Sequence, residues 1–182
     1  MKIVFWTVMI IAGLTAYADS LDKTTPVALY VEIDADEQHC LAQNIYFEAG
    51  NQSLDGMAAV ADVTLNRVKS SRFPDTICEV VKQGLKHSNG AMKRNMCQFS
   101  WYCDGKSDYI SRNIVLTKEW SNSKKIAEDI LQEFYDMKDN NLIGISSGST
   151  HYHANYVVPV WIHDIGMKRI TQIGSHIFYK FR

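Results

Sequence analysis

The sequence predicts a single α+β domain, mainly helical, with a small antiparallel sheet. Two observations support this class. Apolar residues recur at helical spacing through the first half of the chain, and strand-like alternation replaces that pattern after Gly144. The chain has 182 residues, 46% of them hydrophobic and 21% charged, a balance that suits one ordinary core. The sequence contains no internal repeat, low-complexity tract or separate binding module.

The first residues are typical of a secretory signal peptide. Lys2 precedes an apolar run, and Ala16-Tyr17-Ala18 follows it. The run is shorter than the roughly 20 apolar residues that span a bilayer, so we expect cleavage after Ala18 rather than a retained membrane anchor. The prediction is therefore a signal peptide over 1–18, an N-terminal lead-in over 19–35 and one folded domain over 36–182.

Export changes what the four cysteines indicate, because thiols in an oxidising compartment tend to pair. Four cysteines permit three connectivities, of which we favour Cys97 with Cys103, the closest in sequence. That choice leaves Cys40 with Cys78, a bridge between the first and third predicted helices. Zinc held by four thiolates is the alternative, but the sequence has no C-x-x-C spacing.

Three helices are predicted before residue 85. Leu41 and Ile45 lie four residues apart and Glu48 follows three later, which places this carboxylate on the apolar face of a helix from Asp36 to about Gly50. A second helix runs from an N-cap at residue 53 to about residue 69, and a capping box at residues 76 and 79 begins a short third one. The predicted buried stripe of the second helix is Met57, Val60, Ala61, Leu65 and Val68.

The second half of the chain shows three successive sequence patterns. Residues 85–96 are polar and predict an exposed loop. An amphipathic helix is predicted from Ser123 to Met137. Segments 149–154 and 170–179 predict short strands, joined through turns at Pro159 and Gly166.

Charge argues against one class of partner. The 19 Lys and Arg residues nearly balance the 20 Asp and Glu residues, giving a formal net charge of -1. Such a chain has no bulk basic field for holding a phosphate backbone. We therefore predict no nucleic acid partner.

From about residue 38 to 180 the chain resembles the spore-cortex-lytic type of bacterial cell wall hydrolase. The blocks that carry the resemblance occur in the family's order: Cys40-Leu41-Ala42-Gln43-Asn44-Ile45-Tyr46-Phe47-Glu48-Ala49, Gly56-Met57-Ala58-Ala59-Val60-Ala61, Leu65-Asn66-Arg67-Val68, Phe73-Pro74, Ile77-Cys78, Val80-Val81, Gln98-Phe99-Ser100-Trp101, Thr150-His151-Tyr152-His153 and a closing Gly174, His176, Phe178 and Tyr179. One departure is Glu48-Ala49-Gly50-Asn51, where the family more often has Glu-Ala-Arg-Gly. Asn51 tolerates the left-handed conformation that glycine would supply.

The resemblance implies a lysozyme-like or transglycosylase-like catalytic domain over 36–182, with Glu48 as general acid and base. It implies a lytic transglycosylase that cuts the backbone of N-acetylmuramic acid and N-acetylglucosamine and leaves 1,6-anhydro ends; hydrolysis by water is the near alternative. Cleaving a glycosidic bond needs a carboxyl that is neutral near pH 7, and an apolar setting raises the pKa of Glu48 in that direction. No partner carboxylate is evident, since Asp55 and Asp62 lie on the next helix. Without the resemblance, Glu48 is interpreted as a buried acid paired with a cation such as Arg67.

Segments 98–101 and 150–155 combine amide, hydroxyl and aromatic groups that are suited to binding sugars. The expected substrate-binding residues are Gln98, Ser100, Trp101, Thr150, His151, Tyr152, His153 and Asn155. For Phe99 and Trp101 the alternative is a place in the core, where most large aromatic residues lie.

Two other functions stay open. His151 and His153 share one face of a strand and with a further ligand could hold zinc, as in a metal-dependent N-acetylmuramoyl-L-alanine amidase. His39, His163 and His176 have no diagnostic spacing and no H-E-x-x-H motif occurs, so we expect no metal or other cofactor. The other hypothesis is a wall-binding or lysis accessory protein that does not turn over substrate. The expected partner is the peptidoglycan glycan strand, with an accessory wall-binding partner left open, and the expected location is the periplasm or the medium.

Overall fold

The computed structural model describes residues 32–136 and 144–182. The predicted signal peptide over 1–18 and most of the lead-in over 19–35 lie outside the described residues. The predicted α+β class is confirmed, since the described residues form α-helices and two small antiparallel sheets. No helix among them is long and apolar enough to cross a membrane.

The helices form one layer around a shared core. Helix α1 begins after Asp34, whose carboxylate accepts hydrogen bonds from the Asp36 and Glu37 backbone amides. Leu41 and Ile45 of α1 and Met57 and Val60 of α2 are almost fully buried, as the helical spacing predicted. The helices are α1 (Ala35–Ala49), α2 (Leu54–Val68), α3 (Ile77–Val81), α4 (Arg112–Val115) and α5 (Lys118–Asp136).

Helix α3 is joined to α1 in two ways. The predicted Cys40–Cys78 disulfide is present, with a Cα–Cα distance of 5.3 Å. The Glu37 carboxylate of α1 also accepts hydrogen bonds from the Ile77 and Cys78 backbone amides at the start of α3. These contacts fix the helix that carries Glu48 against its neighbour.

Removing the Cys40–Cys78 bridge should destabilise the protein more than removing Cys97–Cys103. In the chain-entropy account, a disulfide constrains the unfolded chain by closing a loop, and the separations here are 38 and 6 residues. We expect the Cys40→Ala/Cys78→Ala variant to lose about 4 kcal/mol of unfolding free energy and the Cys97→Ala/Cys103→Ala variant about 2 kcal/mol. Urea denaturation of both variants measures the difference, and equal losses would contradict the loop-length argument.

Residues 85–96 form a hairpin, so the loop prediction was wrong. Strands β1 (Gly84–Lys86) and β2 (Met92–Cys97) pair antiparallel. Most of their side chains are polar or exposed, and backbone pairing without an apolar face leaves no alternation in the sequence. A 3-10 turn over Ser100–Cys103 follows, and the predicted Cys97–Cys103 disulfide joins this turn to the end of β2.

The second sheet contains the Thr150-His151-Tyr152-His153 segment. Its strands are β3 (His151–Ala154), β4 (Met167–Ile173) and β5 (His176–Phe181), in the order β3-β5-β4 with antiparallel pairing. Tyr152 lies opposite Phe178 across β3 and β5. Phe178 is fully buried and packs on Ala59 and Val63, so one face of the sheet rests on α2.

Polar side chains of α2 attach the segment that leads into β3. The buried Asp62 carboxylate accepts hydrogen bonds from the backbone amide and hydroxyl of Ser146. Asn66 donates to the carbonyl oxygen of Ser149 at 3.0 Å, and the Arg67 Nε donates to that of Thr150 at 2.8 Å. These bonds fix the position of β3, and therefore of Tyr152, relative to the helices.

Candidate functional site

Glu48 lies in the last turn of α1, at the point where this helix meets β3. Its Oε2 accepts a hydrogen bond of 2.9 Å from the hydroxyl of Tyr152. The side chain is partly buried, and the last turn of α1 supplies no basic residue to neutralise it. The sequence-predicted acid and one predicted substrate residue are thus in direct contact.

The surroundings of Glu48 favour its neutral form. Burial is the largest influence and raises the pKa of the carboxyl, because the charged form loses its hydration. The Tyr152 hydroxyl, the Arg67 guanidinium and the Ser100 backbone each lower this pKa, and together they do not offset burial. Burial also raises the pKa of Tyr152 well above its ordinary value, so Tyr152 is the donor in this hydrogen bond.

The Arg67 guanidinium lies near the Glu48 carboxyl, but other groups hold it in place. Only 4% of its surface is exposed, and its guanidinium carbon lies over the rings of Phe73 and Phe99, 5.2 and 4.7 Å from their centroids. Its Nε is bonded to Thr150, whereas its Nη1 is buried without a hydrogen-bond partner among the described residues. The interpretation of Glu48 as half of an ion pair is not supported, since no Arg67–Glu48 contact within 4 Å occurs in the described chain.

Two clefts meet at Glu48. One has a volume of about 810 Å³ and the other of about 450 Å³. Glu48, Ala154, Tyr156 and His176 line both. The carboxyl therefore lies where the two clefts adjoin, accessible from both.

Of the eight predicted substrate residues, four line the smaller cleft: Gln98, Ser100, Tyr152 and His153. The other four line neither cleft: Trp101, Thr150, His151 and Asn155. Asn155 is exposed, and its backbone amide donates to the Ser175 carbonyl oxygen. Substrate contact by these last four stays a prediction without a cleft position to support it.

Trp101 has a structural position. It is 8% exposed, stacks on the Phe47 ring at 4.6 Å and donates from its indole nitrogen to the Asn44 Oδ1 at 2.9 Å. Asn44 in turn donates to the Thr64 hydroxyl. This buried network joins α1, α2 and the 3-10 turn, and it places Ser100 beside Glu48.

Several cleft residues were missed by the sequence reasoning. His176 lines both clefts, and burial, followed by the neighbouring His153, lowers its pKa. Glu119 at the start of α5 and Gln52 before α2 line the larger cleft. Gln52 accepts hydrogen bonds from Ser175, so the loop between β4 and β5 is attached there. Only His176 belonged to a recognised block, and no spacing joins the others to Glu48.

One expectation about the residues after Glu48 needs correction, and hydrogen bonds explain the position of Asp62. Gly50 has an ordinary helical conformation with φ of -59°, and Asn51 is not among the residues with positive φ, so no left-handed residue follows Glu48. Helix α1 instead ends with a hydrogen bond from the Gln52 backbone amide to the Ala49 carbonyl oxygen. Asp62 lines neither cleft, because its carboxylate is bonded to Ser146.

The histidine pair does share one strand face, as predicted. The rings of His151 and His153 each lie 5.6 Å from the Trp161 ring, and His153 Nε2 lies 3.1 Å from the Tyr179 hydroxyl. Across residues 32–136 and 144–182, no three His, Cys, Asp or Glu side chains come together as a metal site. The pair therefore belongs to an aromatic cluster.

Glu48→Gln is expected to raise stability at neutral pH but not at acid pH. Below the unfolded-state pKa, the carboxyl is neutral in both states and contributes nothing. As pH rises, the unfolded chain ionises first, and stability is lost until the raised folded-state pKa is passed. Thermal melts at several pH values should show the advantage of the variant growing from about pH 3 to pH 7. An advantage of equal size at all pH values would exclude ionisation as its cause.

Tyr152→Phe is expected to move the basic limb of the activity profile to higher pH. The Tyr152 hydroxyl stabilises the Glu48 carboxylate, and its removal raises the pKa of Glu48 further. A general acid with a higher pKa stays protonated to higher pH. The profile of kcat/KM against pH measures the shift. The other charged or titratable groups that line the two clefts are Tyr46, Arg67, Glu119, His153, Tyr156 and His176. A shift to lower pH would assign the limb to one of these.

Comparisons with known proteins place the fold and the family. A family model described as Cell Wall Hydrolase matches residues 51–179, beginning just after Glu48. The catalytic domain of the Bacillus cereus SleB protein is similar in structure, with 23% identity, a TM-score of 0.55 and coverage of 85% of this chain and 97% of that one. The catalytic domain of the germination-specific lytic transglycosylase SleB from Bacillus anthracis has 24% identity, a TM-score of 0.54 and coverage of 81% and 97%. The comparison with curated proteins found no match.

Proposed function

Because this chain belongs to the cell wall hydrolase family, we propose that it is a lytic transglycosylase that cuts peptidoglycan between N-acetylmuramic acid and N-acetylglucosamine. The observation that carries the proposal is the Glu48 carboxyl, whose pKa is raised by burial at the meeting point of two clefts. The matched range begins after Glu48, so its role rests on this geometry. The similar Bacillus anthracis protein is a germination-specific lytic transglycosylase, which favours the same chemistry here.

In the first step the Glu48 carboxyl gives its proton to the glycosidic oxygen. The bond between this oxygen and the anomeric carbon of the muramic acid breaks, and positive charge develops on the sugar ring. Glu48 becomes a carboxylate, which the Tyr152 hydroxyl and the positive charge of Arg67 stabilise. These interactions grow as the proton leaves, so they favour the transition state over the bound substrate.

In the second step the carboxylate acts as the base. It takes the proton of the 6-hydroxyl of the same muramic acid, whose oxygen closes on the anomeric carbon. The product is a 1,6-anhydro end and a free hydroxyl on the departing glucosamine, and Glu48 is protonated again. No water is consumed, so the step needs no second carboxylate to activate one.

Export to the periplasm or the medium is part of the proposal. The N-terminal segment supports it, as do the two disulfides, which persist in oxidising compartments. The glycan strand of the wall is then the partner that this domain meets.

The experiment that tests the function is mass spectrometry of fragments that the mature protein releases from purified peptidoglycan in water enriched in heavy oxygen. Transglycosylation gives anhydro ends without the label, whereas hydrolysis gives labelled reducing ends. Labelled ends would replace the proposal with a hydrolysing glycosidase. Free stem peptides that disappear with a chelator would replace it with a metal-dependent amidase, and absence of fragments would indicate a binding protein.

A further inference from the structure

A third cavity of about 190 Å³ lies at the end of the second sheet, outside the two clefts at Glu48. Three cations from separate positions line it: Arg72 after α2, Lys180 in β5 and Arg182 after β5. None of the described residues lining the cavity is acidic. None of the three cations belongs to an ion pair found within residues 32–136 and 144–182. A small cavity lined by three cationic side chains and by no acidic side chain in the described part of the chain is suited to a small anion.

Two aromatic rings line the cavity, and one of its three cations lies against one of them. The Arg72 guanidinium carbon lies 4.7 Å from the centroid of the Phe181 ring, and Phe73 lines the same cavity. Such stacking fixes the planar group while leaving its edge free to donate hydrogen bonds to a carboxylate.

One imidazole ring separates this cavity from the catalytic groove. The His151 ring lies 5.6 Å from Trp161, which lines the smaller cleft at Glu48. It also lies 5.2 Å from Phe181 and 6.0 Å from Phe73, which line the cavity. Burial, Arg67 and Arg72 lower the pKa of His151 to about 4, so this ring adds no charge at neutral pH.

The proposed substrate carries anionic groups on the peptide side chains of its glycan strand. A stem peptide is attached to the lactyl group of muramic acid, and its carboxylates are free unless amidated or cross-linked. An extended peptide spans about 3.3 to 3.6 Å per residue, so three residues of a stem peptide reach roughly 10 Å from the glycan strand. We propose that the cavity formed by Arg72, Lys180 and Arg182 binds a carboxylate of the stem peptide, so that peptide-bearing glycan is preferred over bare glycan. This inference rests on the proposed function.

The test compares glycan strands that keep their stem peptides with the same strands after an amidase has removed them. The mature protein should show kcat/KM at least about tenfold higher on the peptide-bearing strands, equivalent to about 1.4 kcal/mol. In Arg72→Gln/Lys180→Gln/Arg182→Gln the ratio should fall close to one through a higher KM on peptide-bearing strands. Lys86→Gln/Lys93→Gln/Lys124→Gln, which removes three cations that line neither the clefts at Glu48 nor this cavity, should keep the preference.

A binding measurement separates this inference from the proposed function. A free stem tetrapeptide, titrated against the protein and followed by nuclear magnetic resonance, should shift signals around Phe73 and Phe181 in the parent protein but not in the triple cavity variant. Peptide binding without turnover on either substrate would sink the proposed function and leave the cavity assignment standing. Equal turnover on both substrates, or an unchanged preference in the cavity variant, would overturn the inference. Lys180→Gln alone, expected to halve the preference or more, replaces the triple variant if the latter does not fold.

Discussion

Glu48→Gln is expected to lower kcat on peptidoglycan on the order of 10³-fold. Glutamine keeps the shape and can still accept the Tyr152 hydrogen bond, but it has no proton to give to the glycosidic oxygen. The variant should bind glycan strands with nearly unchanged affinity, because the loss lies in the chemical step. The rate of soluble fragment release and the affinity for strands, measured on the same preparation, together check this expectation.

Two matched substitutions make the result specific. Glu128→Gln makes the same chemical change on the exposed surface of α5, and it should leave turnover within the error of the assay. Glu119→Gln makes the same change at the other described carboxyl that lines the clefts at Glu48. We expect Glu119→Gln to cost less than tenfold in kcat. A loss as large as that of Glu48→Gln would show that two carboxylates share the reaction, as in hydrolysis by water.

Arg67→Met is expected to lower kcat about 10²-fold with a much smaller change in KM. The guanidinium lowers the pKa of Glu48, and it stabilises the carboxylate that forms when the proton leaves. Without this charge, the basic limb of the pH profile should also move upward, since Glu48 stays protonated to higher pH. Methionine keeps apolar contact with Phe73 and Phe99, so the measurement is of electrostatics more than of packing.

Arg67→Lys separates charge from anchoring. Lysine keeps the positive charge but loses the Nε bond to the Thr150 carbonyl oxygen. It should recover part of the lost kcat if the charge is what matters. If both variants keep kcat within threefold and the pH profile does not move, Arg67 only supports β3. A circular dichroism spectrum and a thermal melt of each variant show whether the fold is retained.

The helices that carry the site could be predicted because their information is local. The apolar spacing of Leu41, Ile45 and Glu48 and the N-cap at Ser53 are properties of short windows, and α1 and α2 form where they indicate. The family resemblance identified Glu48 itself. Sequence alone could also place Tyr152 on a strand, but not at 2.9 Å from Glu48, since that contact joins residues 104 positions apart.

What could not be predicted depends on tertiary contacts. The hairpin β1–β2 forms through backbone bonds between polar segments, which leave no periodic signal. Arg67 looked like a partner for a buried acid, yet two phenyl rings and a carbonyl oxygen hold it. Glu119 lines the larger cleft only because the start of α5 lies beside Glu48. Trp101 lies outside both clefts because its indole nitrogen donates a hydrogen bond to Asn44.

The alternation of side chains along β3 assigns different mutational phenotypes to adjacent positions. Tyr152 points with Phe178 and His176 toward α2 and the groove, whereas His151 and His153 point toward Trp161 and Tyr179. In a deep mutational scan of this strand, the effects of substitution should therefore differ between adjacent positions. Variants at 152 would be folded but slow, and variants at 151 would be depleted through lower abundance. Variants at 153, a position that also lines the smaller cleft, would combine the two effects.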